Sequence, residues 1–229
     1  MQKDDFVKIS YTGKLKEAGQ IFDKAEGVQI IVGEGFVIPG VDEALLEMKV
    51  GEKKTFEVEP AKAFGDRNPD LLKLVPESEF RKRDIEPRVG MPVDADNLRG
   101  RVISVASGRV RVDFNHPLAG KVLVYDLEVK EKIEKPEEKI SGLVSFYSKL
   151  EPEKISVALA GKDAEITVPP VIHPAYKKRI ADEIRKFLGF ERIKFVEVFD
   201  KGTGEQQGSL GETQARVSYV LRKIIYKNF

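Results

Sequence analysis

The stretch that most constrains the fold runs from Val32 to Gly65, VGEGFVIPGVDEALLEMKVGEKKTFEVEPAKAFG. Two glycines, Gly33 and Gly35, precede Phe36-Val37-Ile38-Pro39-Gly40, which suits a tight loop presenting apolar side chains. Val41, Ala44, Leu45 and Met48 then fall at i, i+3, i+4 and i+7, so the spacing predicts a short helix with one apolar face. Asp42 and Glu43 occupy its first turn, where acidic groups suit the positive end of the helix dipole. Gly51 is expected to stop it in a left-handed conformation. Thr55, Glu57 and Glu59 alternate with Phe56 and Val58 up to Pro60, the pattern of a half-buried strand. Loop, helix and strand together enclose an apolar niche.

Composition excludes several kinds of chemistry. Lys plus Arg total 39 against 38 for Asp plus Glu, a net charge of +1, which argues against nucleic acid as a partner. No cysteine is present, so disulfides and thiol nucleophiles are absent. His116 and His173 stand far apart without a companion, so neither a metal nor another cofactor is expected. MQKDDFVKIS carries acidic residues where a signal peptide needs an apolar core, and no apolar run approaches ~18 residues. The expectation is a soluble, cytoplasmic protein with no membrane contact.

The 229 residues suffice for two or three domains. Phe6, Lys8 and Ser10 alternate with Val7, Ile9 and Tyr11 as a strand; a turn at Ala18-Gly19-Gln20 leads to a second strand ending at Phe22-Asp23. Val28 to Val32 reads as a third. After Gly65, turn chemistry at Asp66 to Asp70 opens a β-rich insert, residues 67–114, with a short helix near Glu77 to Arg83 and hairpin turns at Gly100 and Ser107-Gly108. Val122 to Val129 is the returning strand. Glu131 to Lys139 reads as a charged linker with one proline. Beyond it, strands at Ile155–Leu159 and Ala164–Val168, a helix ending at Gly189, and a strand from Ile193 to Phe199 are predicted. A loop over Lys201–Gly211 and a helical spacing over Val217–Ile225 follow. The predicted fold class is α+β: an antiparallel twisted sheet wrapped on one short helix (residues 1–66 and 115–134), interrupted by the insert and followed by a separate α+β domain, 138–229.

Several motifs in order, Tyr11-Thr12-Gly13, Phe22-Asp23, Val32-Gly33, Val37-Ile38 with Gly40, Val50-Gly51-Glu52, Pro60 through Ala63-Phe64-Gly65, and Asn115 through Val129, closely resemble the FKBP family of peptidyl-prolyl cis-trans isomerases. The last block is similar to the SlyD-like and archaeal members with a domain inserted in the flap. The resemblance implies an apolar pocket lined by Tyr11, Phe22, Val28, Val37, Ile38, Val41, Phe64 and Tyr125. It implies that Asp23 is the pocket carboxylate and that the Ile38 amide meets a substrate carbonyl. Phe36 and Leu118 are added as substrate contacts. Two positions depart from the family pattern: Val41 stands where Trp is common, and Phe64 where Tyr is common.

The insert is rich in apolar residues for its size, so Leu74, Val75, Val102 and Val105 are expected to offer an apolar patch to unfolded segments. In the resembling subgroup the insert is a chaperone module. The implied partners are unfolded or nascent polypeptides with X-Pro bonds. The alternative is a holdase with an idle pocket. The basic helix face Lys177-Lys178-Arg179 with Arg185-Lys186 reads as solvated surface, and the strand and helix edges of the last domain leave a homodimer open.

Overall fold

The computed structural model describes residues 1–95 and 98–199. In chain order its strands and helices are β1 (Phe6–Leu15), β2 (Ile21–Ile31), α1 (Pro39–Glu47), β3 (Lys53–Val58), β4 (Leu72–Pro76), α2 (Glu77–Arg81), β5 (Pro92–Ala95), β6 (Leu98–Ala106) and β7 (Arg109–Asp113). There follow β8 (Leu123–Lys132), α3 (Pro136–Ser148), β9 (Ser156–Ala160), β10 (Asp163–Val168), α4 (Pro174–Leu188) and β11 (Arg192–Glu197). They form two compact units: Met1–Val58 with the described residues from Leu123 on, and Glu59–Val122.

In the first unit an antiparallel sheet has the order β2-β1-β8-β3. Val7, Ile9 and Tyr11 of β1 and Leu123, Tyr125, Leu127 and Val129 of β8 recur at every second residue, so one face of the sheet is buried. Helix α1 buries Val41, Ala44 and Leu45. Pro39 opens it, at a position where a missing amide hydrogen costs nothing. It ends on extended Met48 rather than at Gly51, whose amide instead donates to the Val129 carbonyl at 2.7 Å. The two strands expected over residues 21–32 are one. The ladder slips between Val28 and Ala25, and the bulge keeps the strand continuous, with the Gly27 amide bonded to Ser10 Oγ at 3.0 Å.

The charged stretch after β8 is not a free linker. Ile133 is buried and donates to the Phe6 carbonyl at 2.8 Å, and α3 starts three residues later. No helix was expected there, yet Ile140, Leu143, Val144 and Tyr147 keep helical spacing and all are buried. The hairpin β9–β10 turns at Gly161-Lys162, and α4 crosses over to β11, which lies parallel to β10. Gly189 closes α4 in the left-handed region, as predicted. Helix α3 lies on β2: Gln29 Nε2 donates to the Lys139 carbonyl at 2.8 Å, and a Cβ at Gly142 would overlap the Gln29 amide. From α4, Phe187 meets Phe6 edge-on at 6.3 Å. The expectations for Lys201–Gly211 and Val217–Ile225 fall outside the described residues.

The second unit is an antiparallel sheet of order β4-β7-β6-β5 over a small core of Phe80, Val102, Val110 and Val112. The turn at Ser107-Gly108 and the helix at Glu77 are where the sequence predicts them. Gly100 is not in a turn: it lies within β6 beneath Phe114, whose ring a Cβ would meet at 2.6 Å. The unit also takes in the flanks of the insert. Gly120 N donates to Gly65 O at 2.9 Å, and Asn68 and Asn115 exchange two bonds of 2.8 and 3.0 Å.

Candidate functional site

The ladder registers bring the aromatic residues together. Gly13 of β1 lies opposite Asp23 on one side and Tyr125 on the other. With no side chain at Gly13, the neighbouring rings close over it; a Cβ there would sit 2.7 Å from Phe22 Cζ and 3.2 Å from Tyr125 Cε1. Tyr125 is the hub: its ring centroid lies 5.9 Å from Tyr11, 6.0 Å from Phe22 and 6.3 Å from Phe56. The Tyr11 pair is tilted and the Phe22 pair edge-on, arrangements that match the ring quadrupoles, while Phe56 lies nearly parallel to Tyr125.

Within this cluster the Tyr11 hydroxyl donates to Asp23 Oδ2 at 3.1 Å, and both residues are buried. The Tyr125 hydroxyl is buried without a partner among the described residues. Burial, and then the Asp23 charge, hold this phenol well above its usual ionisation range, so it is neutral. Val37, Ile38 and Val41 are buried in the same unit. Their loop is folded over the Asp42 carboxylate, which accepts from Gly33 N at 3.0 Å and Gly35 N at 3.2 Å, both glycines having positive φ. Burial nonetheless raises the Asp42 pKa, the two amide bonds offsetting it only in part.

The remaining expected residues belong to further elements of the two units. Val28 is half-buried opposite Ile9 at the bulge. Phe64 and Leu118 belong to the second unit and are buried there, with Phe64 stacked on His116 at 4.3 Å and 5°. Phe36 was expected on an exposed loop. Instead it is 4% exposed, its ring 4.9 Å from Phe146 and 6.4 Å from Tyr147 of α3, because that helix covers the loop. Val102, expected to meet clients, is core of the second unit, with Val75 and Val105 partly buried against it. Leu74 is open at 52% exposure. Sequence reasoning missed Phe56, Leu98 and Ile103: Phe56 belongs to the ring cluster, and the other two are exposed. The alternation of Phe56 with Thr55 and Glu57 was the signal that could have found it.

The ring cluster presents apolar walls, one carboxylate held by a tyrosine, and no activated nucleophile. A cavity of about 370 Å³ opens on the sheet, walled by Tyr11 together with Ser10, Thr12, Lys24, Asp126 and Glu128. Its carboxylates are engaged by lysines, as in Lys14–Asp126 at 2.6 Å and Lys130–Glu128 at 2.7 Å. Among the described residues no group of three or more His, Asp or Glu could hold a metal ion, and no helix is long and apolar enough to cross a membrane.

Residues 73–118 match the family model described as "FKBP26, IF domain", and 136–200 match "FKBP26_C-terminal". A short-type peptidyl-prolyl cis-trans isomerase of Methanocaldococcus jannaschii is 33% identical over 57% of this chain and 93% of its own length. A probable FKBP-type 16 kDa isomerase of Pseudomonas fluorescens is 41% identical over 47% and 73%. The SlyD isomerase of Treponema pallidum is 30% identical over 60% and 81%. With its inserted domain and additional C-terminal domain, the chain belongs to the FKBP-type peptidyl-prolyl cis-trans isomerase family.

Proposed function

We propose that this protein catalyses the cis-trans isomerisation of X-Pro bonds in unfolded or nascent chains. The observation that carries the reading is the cluster of buried Tyr11 and Tyr125 with half-buried Phe22 around the Tyr11–Asp23 hydrogen bond. Rotation about a peptide bond meets a barrier of ~18–20 kcal/mol because resonance must be broken. The cis and trans X-Pro states themselves differ by only ~0.5–1 kcal/mol. The catalyst therefore has to hold the twisted amide better than the planar one, and forms no bond to it. A twisted amide has a less polar carbonyl that depends less on water, so an apolar, water-poor wall favours it. The Ile38 amide, by its family position, anchors the preceding carbonyl. The test is refolding of a proline-limited protein with and without this chain. Acceleration that falls in Asp23→Ala supports the reading, and a wild-type chain that leaves the rate unchanged overturns it.

A second activity is supported by the exposure of Leu74, Leu98 and Ile103 in the inserted unit. Their side chains form apolar surface on a four-stranded sheet, able to hold unfolded segments by hydrophobic contact. In this reading the insert binds clients and raises the concentration of X-Pro bonds near the isomerase site. Deleting residues 70–112 should leave turnover of short X-Pro peptides intact and reduce it on proteins. Loss of both would refute the division of labour.

A further inference from the structure

The loop that carries Ile38 is held from two sides. On the inner side the Asp42 carboxylate takes the Gly33 and Gly35 amides. On the outer side two of its residues are gripped by the C-terminal helices. Phe36 packs on Phe146 and Tyr147 of α3, and all three rings are buried. Glu34 pairs with Lys186 of α4 and, at 3.2 Å, with Lys3. The grip is itself fixed: the Tyr147 hydroxyl donates to Glu183 of α4, which also accepts from Arg179 Nε at 2.9 Å. Phe36 stands two residues before Ile38, so the rings that hold it limit where the Ile38 amide can lie.

The loop has somewhere else to go. A cavity of about 240 Å³ lies between it and α4, walled by Glu34, Phe36, Arg179, Glu183, Lys186 and Phe187. If the Phe146 ring were removed, Phe36 could relax into the vacated space or this cavity, carrying Val37 and Ile38 with it. A donor that must meet a twisted carbonyl loses rate with small misplacements.

We propose that Phe146 and Tyr147 are positioning residues for isomerisation, acting through Phe36 on Val37 and Ile38, so that the C-terminal domain is part of the isomerase site's support. The proposal rests on the isomerase reading above. Neither residue touches the reacting amide.

The test uses the full-length chain. Phe146→Ala is compared with wild type for kcat and KM on a short X-Pro peptide, at a temperature where circular dichroism shows both fully folded, together with the amide resonance of Ile38. The expected result is a five- to tenfold fall in kcat/KM, a displaced or broadened Ile38 resonance, and recovery of most of the rate in Phe146→Leu, which restores bulk beside Phe36. If Phe146→Ala proves too unstable, Tyr147→Phe keeps the ring and removes the hydroxyl that meets Glu183 and Arg179, with a two- to threefold fall expected. A folded variant with wild-type kcat/KM and an unmoved Ile38 resonance overturns the proposal. So does a loss that merely tracks the folded fraction. A wild-type chain without turnover instead sinks the isomerase reading, and this proposal with it.

Discussion

The Tyr11 hydroxyl and the Asp23 carboxylate meet at 3.1 Å between adjacent strands, both buried, in the cluster that holds the Tyr125 hydroxyl. A hydrogen bond to a buried carboxylate contributes more than a neutral one. Tyr11→Phe and Asp23→Asn should each cost ~1–3 kcal/mol. A double-mutant cycle by chemical denaturation should give a coupling of ~0.5–3 kcal/mol. Additive effects would show that the two groups do not interact in solution.

Tyr125→Phe should go the other way. Its hydroxyl is buried without a partner among the described residues, and replacing such a group by hydrogen removes a desolvation cost of ~1–3 kcal/mol. A gain of ~1 kcal/mol raises Tm by ~2–4 °C for a chain of this size, readable by calorimetry. A lower Tm would mean that the hydroxyl has found a donor or acceptor.

The same phenol sets an alkaline limit. Its folded pKa is raised far above the usual value by burial and then by the Asp23 charge. Unfolded chains release this proton near pH ~10, whereas the folded protein keeps it. The unfolded state then binds fewer protons, so stability is intact below pH ~10 and falls above it by up to ~1.4 kcal/mol per pH unit. Denaturation series from pH 8 to 11 should show this slope reduced in Tyr125→Phe.

Gly142→Leu should undock α3. A side chain there collides with the buried amide of Gln29, which holds the Lys139 carbonyl. Overpacking of this kind costs ~1–3 kcal/mol. Limited proteolysis should cut around α3 before it cuts β1 or β8. An unchanged cleavage order would mean that the helix tolerates the shift.

In the inserted unit, exposure separates two kinds of apolar residue. Leu74→Ser with Ile103→Ser, at 52% and 38% exposure, should weaken suppression of client aggregation and leave peptide turnover and the unit's fold unchanged. Val102→Ser, at a position 1% exposed, should unfold the unit at a cost of ~2–4 kcal/mol. If both variants behave alike, the exposed pair is not the contact surface.

Strand β1, helix α1 and strand β8 were legible because their signals are local. Val7, Ile9 and Tyr11 alternate, Val41, Ala44, Leu45 and Met48 repeat every helical turn, and either pattern needs only its own neighbours to be read. Helix α3 carried the same helical signal at Ile140, Leu143, Val144 and Tyr147, but the charges and Pro136 before it read as a linker. Pro136 sits at the start of the helix, the one place a proline fits. Strand β2 read as two because its apolar runs end at Phe22-Asp23 and resume at Val28, and only pairing with β1 shows one strand continuing through a bulge.

By itself, the order of residues determined which segments alternate, which repeat every turn, and which side chains of β1, β2 and β8 carry the aromatic and acidic groups. Tertiary structure alone decided that Gly13 brings Asp23 and Tyr125 to one place, that Val102 is core while Leu74 is surface, and that Phe36 lies under Phe146. The physical reason is one of range. Periodicity says that a residue has an apolar face to bury, whereas what buries it depends on packing between segments far apart in the chain.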